Sequence, residues 1–158
     1  MKLYFAYSSA LDETAFNEWK TQHGFHTFSL PEGRKAVAQG ERLVFDFPSK
    51  FWGGRALGLE SDSMSRAQGF VFKIDEANWG IIQHKEGVVT GSAIEKKISV
   101  LIDGSANPVE ATAFVTNPNR RSIEGPVSER FVEAVRRAYQ SRGLGEQALH
   151  ALEQARNI

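Results

Sequence analysis

Three short segments of the sequence carry residue types that could bind or transform a small molecule. In residues 4–11 an apolar run stops abruptly at Ser8 and Ser9, and a strand ending in such a turn can point backbone N–H groups at a carboxylate or carbonyl oxygen. The second segment is Glu86 with the glycine that follows it, and the third is the run at 51–54, Phe-Trp-Gly-Gly. Each also has a plainer interpretation: a structural turn, an exposed acid, and a loop packed under an aromatic ring.

Most other catalytic patterns are missing from the sequence. It has no cysteine, which excludes disulfides, thiolate zinc sites and cysteine nucleophiles. It also has no phosphate-binding G-x-x-x-x-G-K-[ST] and no G-x-S-x-G pattern, and Gly53, Gly54 and Gly58 do not have the spacing of a dinucleotide-binding loop.

The histidines do not suggest a metal site. The four are His23, His26, His84 and His150. None lies in H-E-x-x-H, although His23 and His26 could meet in space at a helix end, and we expect no metal. A nucleophilic Ser8 or Ser9 would need a distant histidine to fold back onto it, so a polar turn is the simpler interpretation.

Size and charge limit the function classes further. The 158 residues fit one domain, residues 1–158, with 41% apolar and 24% charged residues. Lys plus Arg and Asp plus Glu both total 19, and this balance argues against a nucleic-acid or membrane-surface partner. The first apolar run is too short for a signal peptide, and no stretch is long enough to cross a membrane, so we expect a cytoplasmic protein.

Apolar periodicity and turn residues predict strands in the middle of the chain and helices toward its ends. Extended segments are predicted at 3–7, 26–30, 43–47, 69–74, 94–102 and 109–116, with Pro48 ending the third. Helices are predicted from Asp12 to Gly24, after Asp75 to residue 84, at 127–139 and at 147–155. This order indicates an α+β fold, a sheet or barrel with helices packed outside.

Taken in order, the segments resemble the gamma-glutamyl cyclotransferase-like (AIG2-like) family. That family opens on a strand ending Tyr-Gly-Ser-Asn-Leu, which matches Tyr7-Ser8-Ser9-Ala10-Leu11 here. Its later motifs match along nearly the whole chain: the Trp-Gly-Gly loop at 52–54, Gly-x-Val-Phe at 69–72, Glu-Gly-Val at 86–88, Thr-Asn at 116–117 and Arg-Gly-Leu at 142–144.

The resemblance implies a small mixed β-barrel with flanking helices, and an enzyme. It implies that a gamma-glutamyl amide is cleaved by its own α-amine, which releases 5-oxoproline and a free amine or amino acid, with Glu86 as general acid and base. Such a reaction requires no cofactor. The substrate-binding residues that it implies are Tyr4, Phe5, Ala6, Tyr7, Ser8, Ser9, Trp52, Gly53, Gly54 and Phe131.

Three departures from the family pattern leave the substrate open. Ser8 replaces a glycine, Ala10 replaces an asparagine, and Phe131 replaces a tyrosine that contacts substrate. The released group could be an amino acid, a peptide as in glutathione, or an amine. The alternative is a non-catalytic protein that keeps the fold and pocket. We expect a monomer or homodimer that binds a small gamma-glutamyl molecule.

Overall fold

The computed structural model describes residues 1–157 and consists of a closed five-stranded barrel with four helices. The strands are β1 (Lys2–Ala6), β2 (Arg34–Ser49), β3 (Gly54–Ile74), β4 (Ala93–Ile102) and β5 (Val109–Thr116). The helices are α1 (Glu13–His23), α2 (Glu76–Glu86), α3 (Glu129–Ser141) and α4 (Glu146–Arg156). The predicted α+β class with a small mixed barrel is therefore confirmed. None of the helices within residues 1–157 is long and apolar enough to cross a membrane.

The barrel closes in the order β1-β3-β2-β4-β5. All pairs are antiparallel except β1 with β5, where Tyr4 lies opposite Thr112 in a parallel register. Tyr4 and Phe5 on β1 are fully buried, as are Phe72 on β3 and Phe114 on β5. The first strand is thus paired on both sides in the barrel, and its last residues are buried in the core.

Three helices begin at a side-chain cap of the kind the sequence indicates. Asp12 accepts a hydrogen bond from the Ala15 N–H at 3.0 Å, and Asp75 and Ser128 cap α2 and α3 in the same way. Two of the helices end at a glycine in the left-handed region, Gly24 after α1 and Gly87 after α2. Both ends of α2, which carries Glu86 as its last residue, are therefore fixed.

Several predicted boundaries were wrong. Residues 26–30 form no strand, because the Phe28 side chain is buried in the core and its carbonyl accepts a bond from Lys20 Nζ at 2.6 Å. Strands β2 and β3 extend far beyond the predicted 43–47 and 69–74. Pro48 does not end β2, since hairpin pairing continues to Ser49 opposite Gly54, which belongs to β3 and not to the loop.

Candidate functional site

A cavity of about 750 Å³ opens where the end of β1 meets the end of α2. Its other walls come from the β2–β3 hairpin turn at residues 50–53, from the first residues of β3 and from residues 124–126 before α3. Of the residues singled out in the sequence, Ser8, Ser9, Trp52, Gly54, Glu86 and Phe131 line this cavity.

Glu86 reaches the cavity from the last position of α2 and is partly buried. The next residue, Gly87, has φ 96°, so the chain turns away directly after the acid. A Cβ at Gly87 would also come within 3.3 Å of the Phe47 ring. The glycine therefore lets the helix stop at the cavity with the carboxyl as its last side chain.

Burial raises the pKa of the Glu86 carboxyl above its usual range. Two neighbours oppose this effect, the positive charge of Lys85 and the Tyr4 hydroxyl, which donates a 2.6 Å hydrogen bond to Oε1. Burial and the nearby Glu86 raise the pKa of the Tyr4 phenol well above its usual range, so Tyr4 stays protonated and remains a donor. The Glu86 carboxyl can therefore gain and lose a proton at a pH closer to 7 than a free glutamate can.

Lys85 lies beside the acid and connects it to the turn after β1. Its Nζ donates to Ser9 Oγ at 3.2 Å and lies 5.7 Å from the centre of the Phe16 ring. Burial lowers the pKa of this ammonium, while Glu86 raises it. Lys85, Glu86 and Ser9 consequently form one linked polar group on the α2 side of the cavity.

The turn at Ser8 and Ser9 offers free donors to this cavity. Ser8 has φ −137°, so the residue that replaces the family's glycine carries no left-handed strain. Within residues 1–157 no acceptor takes the N–H groups of Ser8 or Ser9. Tyr7 fixes the turn, since its hydroxyl donates to the Phe114 carbonyl and its own carbonyl accepts from Tyr139, both at 2.5 Å.

The opposite side of the cavity contains the aromatic residues of the hairpin. The ring of Trp52 meets Phe131 edge to face, with centroids 5.4 Å apart, and the Trp52 carbonyl accepts a bond from Ser128 Oγ at 2.7 Å. Gly54 has no room for a side chain, because a Cβ would lie 2.9 Å from the Ser128 backbone nitrogen. This contact holds the hairpin against the start of α3.

Four of the residues that the resemblance implied as substrate-binding lie behind the cavity wall. Tyr4, Phe5, Ala6 and Tyr7 are all buried in the core and do not line the cavity. Tyr4 is connected to the cavity by its hydrogen bond to Glu86. Tyr7 is connected to it by supporting the turn at Ser8 and Ser9. Gly53 also lies outside the lining and serves the hairpin turn with φ 71°.

Other residues that line the cavity had no clear signal in the sequence. Lys85 and Arg55 had no motif of their own, and His84 joins Trp19 and His23 only through the fold. His23 meets His84, with ring centroids 5.2 Å apart, rather than His26 as the sequence had suggested. The sequence did contain one signal for Lys85: it directly precedes Glu86, and the following Gly87 places both residues in the last turn of the same helix.

Comparisons with known proteins agree with this architecture. The profile of the AIG2-like family matches residues 66–152, more than half of the chain. A solved gamma-glutamyl cyclotransferase superposes with a TM-score of 0.76 at 18% identity, covering 96% of this chain and 86% of the other. An uncharacterized protein from Homo sapiens gives 0.77 at 18% identity, with the same two coverages.

A yeast gamma-glutamyl cyclotransferase specific to glutathione is more distant. It superposes with a TM-score of 0.60 at 8% identity, covering 98% of this chain and 96% of the other. No curated protein matches the sequence significantly. At these identities the solved structures show a shared fold.

Proposed function

The chain belongs to the AIG2-like family, and from that premise we propose that it is a gamma-glutamyl cyclotransferase-type enzyme. It would release 5-oxoproline and a free amine or amino acid from a gamma-glutamyl amide. One observation carries the proposal: Glu86, a carboxyl of raised pKa, shares a cavity with the N–H groups of Ser8 and Ser9, which have no acceptor among residues 1–157.

The first step of the proposed reaction needs a base. Ionised Glu86 takes a proton from the substrate's α-ammonium, and the free amine attacks the γ-carbonyl carbon of the same molecule. Because nucleophile and electrophile belong to one molecule, a cavity that holds the folded conformer supplies much of the rate enhancement. In this proposal the Ser8 and Ser9 N–H groups stabilise the oxyanion that forms.

The second step needs an acid. When the bond between the γ-carbon and the departing nitrogen breaks, protonated Glu86 returns its proton to that nitrogen. The carboxylate regenerated in this way then takes the second proton from the ring nitrogen, which leaves the neutral lactam. One carboxyl thus serves both steps, which is most efficient if its pKa lies near the working pH. Raised by burial and moderated by Tyr4 and Lys85, the pKa of Glu86 moves in the required direction.

One observation favours a second function, a binding protein without turnover. Phe131 lines the cavity as a ring without a hydroxyl, packed edge to face against Trp52 and Phe45. Such a wall can hold an apolar part of a ligand, yet it offers no polar group to orient a reacting amide.

The two functions are separated by assaying 5-oxoproline after incubation with a panel of gamma-glutamyl amides. The wild type should release it, and Glu86→Gln should lower the rate by roughly 10²- to 10⁴-fold. Glu95→Gln is a matched control, because Glu95 binds Trp79 and Gln83 outside the cavity and should keep the wild-type rate. Undiminished release by Glu86→Gln would remove Glu86 from the mechanism, and no release by the wild type would leave the binding function.

A further inference from the structure

The charge that lines the cavity differs from that of the whole chain. Overall the protein is balanced, with 19 basic and 19 acidic residues. The cavity is lined by four cationic side chains, Lys50, Arg55, Lys85 and Arg120, against the carboxylates of Glu86 and Glu124. The lining therefore has an excess of two positive charges, which favours a ligand with more carboxylates than ammonium groups.

None of these four cations forms an ion pair with a carboxylate of residues 1–157. Elsewhere the fold does pair such groups: Arg121 lies 3.2 Å from the buried Asp46, and Lys96 lies 2.6 Å from Glu41. Within residues 1–157 the cavity thus has two more cationic than anionic side chains, and none of its four cations lies in an ion pair.

Arg55 is the most firmly fixed of the four. Its Nε donates to the Gly125 carbonyl at 2.9 Å and its Nη1 to the Phe45 carbonyl at 2.6 Å. Its backbone bonds Pro126 and Ser128 on the neighbouring segment, so main chain and guanidinium are both held. Neutral carbonyls orient the group without cancelling its charge, and its Nη2 has no partner within the described residues.

The place of Arg55 suggests which part of a substrate it would meet. Lys85, Glu86 and Ser9 form the linked group on the α2 side, where the γ-carbonyl and α-amine must lie for the proposed reaction. Arg55 belongs to another wall, built from the start of β3 and residues 124–126. If the leaving group of a substrate held at Glu86 lies against that wall, Arg55 is the fixed cation that it meets.

We propose that Arg55 binds a carboxylate on the leaving amine, so that the enzyme acts on gamma-glutamyl amino acids in preference to gamma-glutamyl amines without a carboxylate. This inference rests on the proposed function and narrows its substrate class. Lys50 and Arg120, both exposed at the cavity, add to the attraction at longer range.

The activity test compares gamma-glutamyl-alanine with gamma-glutamyl-alaninamide, which differ only in that carboxylate. We expect kcat/KM of the wild type to be about 10- to 100-fold higher for the carboxylate, the range of one charged hydrogen-bonded contact. In Arg55→Gln, which keeps a side-chain donor for the wall, the ratio should fall to about one. Arg130→Gln is the matched control: Arg130 also bonds a backbone carbonyl, that of Phe51, but does not line the cavity, and the ratio should persist.

Two results would overturn the inference while leaving the proposed function intact. The first is equal kcat/KM for both substrates in the wild type, a comparison that needs no variant to fold. The second is a preference that survives in Arg55→Gln, with folding checked by circular dichroism.

A binding test of Arg55 can be made even if neither substrate is turned over. N-glutaryl-alanine and N-glutaryl-alaninamide lack the α-amine, so they cannot cyclise. Calorimetry should show tighter binding of N-glutaryl-alanine to the wild type by about tenfold or more, and equal binding of both to Arg55→Gln. Equal affinities in the wild type would overturn the role of Arg55 independently of catalysis.

Discussion

The phenolic hydroxyl of Tyr4 donates a 2.6 Å hydrogen bond to Oε1 of Glu86, across 82 residues of sequence. Tyr4 is fully buried on β1, so this donor stays in place beneath the partly buried acid. The bond favours the ionised carboxylate and thereby counters the effect of burial on its pKa. The buried tyrosine thus limits how far burial raises the pKa of the acid that lines the cavity.

Tyr4→Phe should move the pH dependence of the reaction to higher pH. Without the hydroxyl the pKa of Glu86 rises further, because a hydrogen bond that favours the charged carboxylate is lost. The measurement is kcat/KM against pH, in which the rising acidic limb reports the ionisation of the free enzyme's base.

Tyr139→Phe is the matched control for that profile. It also removes a buried hydroxyl, one that donates to the Tyr7 carbonyl, but it leaves the partner of Glu86 in place. Its stability should fall while the acidic limb stays at the wild-type pH. A Tyr4→Phe limb that does not move would show that the hydroxyl does not control Glu86.

Glu86→Gln should stabilise the protein increasingly as the pH rises. Because burial raises the folded-state pKa of Glu86, its contribution to stability is fully present below the unfolded pKa of about 4.3 and is lost as pH rises through the folded-state value. The amide has no charge to lose. The free energy of unfolding, measured by urea denaturation at pH 4 and pH 8, should therefore favour the variant more at pH 8.

Glu60→Gln should give the opposite trend. Its hydrogen bond from Arg42 lowers the pKa of Glu60, so its contribution is present above the unfolded pKa and is lost as the pH falls. The free energy of unfolding of Glu60→Gln should be lower than that of the wild type at pH 8, and the two values should be nearly equal at pH 4. If the stability advantage of Glu86→Gln over the wild type decreased with rising pH, the raised pKa of Glu86 would be contradicted.

Lys85→Met should also shift the acidic limb of kcat/KM to higher pH. The positive charge of the ammonium lowers the pKa of Glu86, so its loss should raise that pKa further. Lys97→Met is a close control, because Lys97 likewise donates to a hydroxyl, that of Thr112 at 2.9 Å, but lies outside the cavity. If both variants shift the limb equally, the effect belongs to net charge and not to Lys85.

Gly58→Ala should destabilise the barrel by about 1–3 kcal/mol. A Cβ at Gly58 would lie 2.4 Å from Asp46 Oδ1 and 2.5 Å from Thr116 Oγ1, which are themselves joined by a buried 2.6 Å hydrogen bond. Gly80→Ala, in α2 with nothing within 4 Å, should instead stabilise by up to about 1 kcal/mol. Urea denaturation of both variants checks the pair, and a tolerated Gly58→Ala would contradict the close contact.

The sequence predicted helices better than strands, for a physical reason visible at particular residues. Asp12 and Asp75 are local caps whose effect depends on the next three residues, so the starts of α1 and α2 could be predicted from the chain. The cap of α3, Ser128, was not recognised, and that helix was predicted to begin at 127. The long hairpin could not be read in the same way. Only its apolar segments 43–47 and 69–74 were predicted, because outer parts such as residues 60–66 carry mostly polar residues that pair only through the fold.

The candidate site was predictable only as far as its local motifs. Glu86 and the serine turn stand out because short segments and their order carry the resemblance. The roles of Tyr4 and Arg55 depend on contacts that single segments do not contain: Tyr4 meets Glu86 from another strand, and Arg55 is held by carbonyls 10 and 70 residues away. Nothing in local spacing distinguishes these two side chains from ordinary core and surface residues.

The parallel contact of Tyr4 with Thr112 has a consequence for the order of folding. The first strand has no complete set of neighbours until the last strand is in place, and the hydroxyl of Tyr7 meets the Phe114 carbonyl across 107 residues. Such distant contacts form late, because long loops must close first. During refolding, helical structure should therefore return before 5-oxoproline release, which should recover only with the slowest kinetic phase.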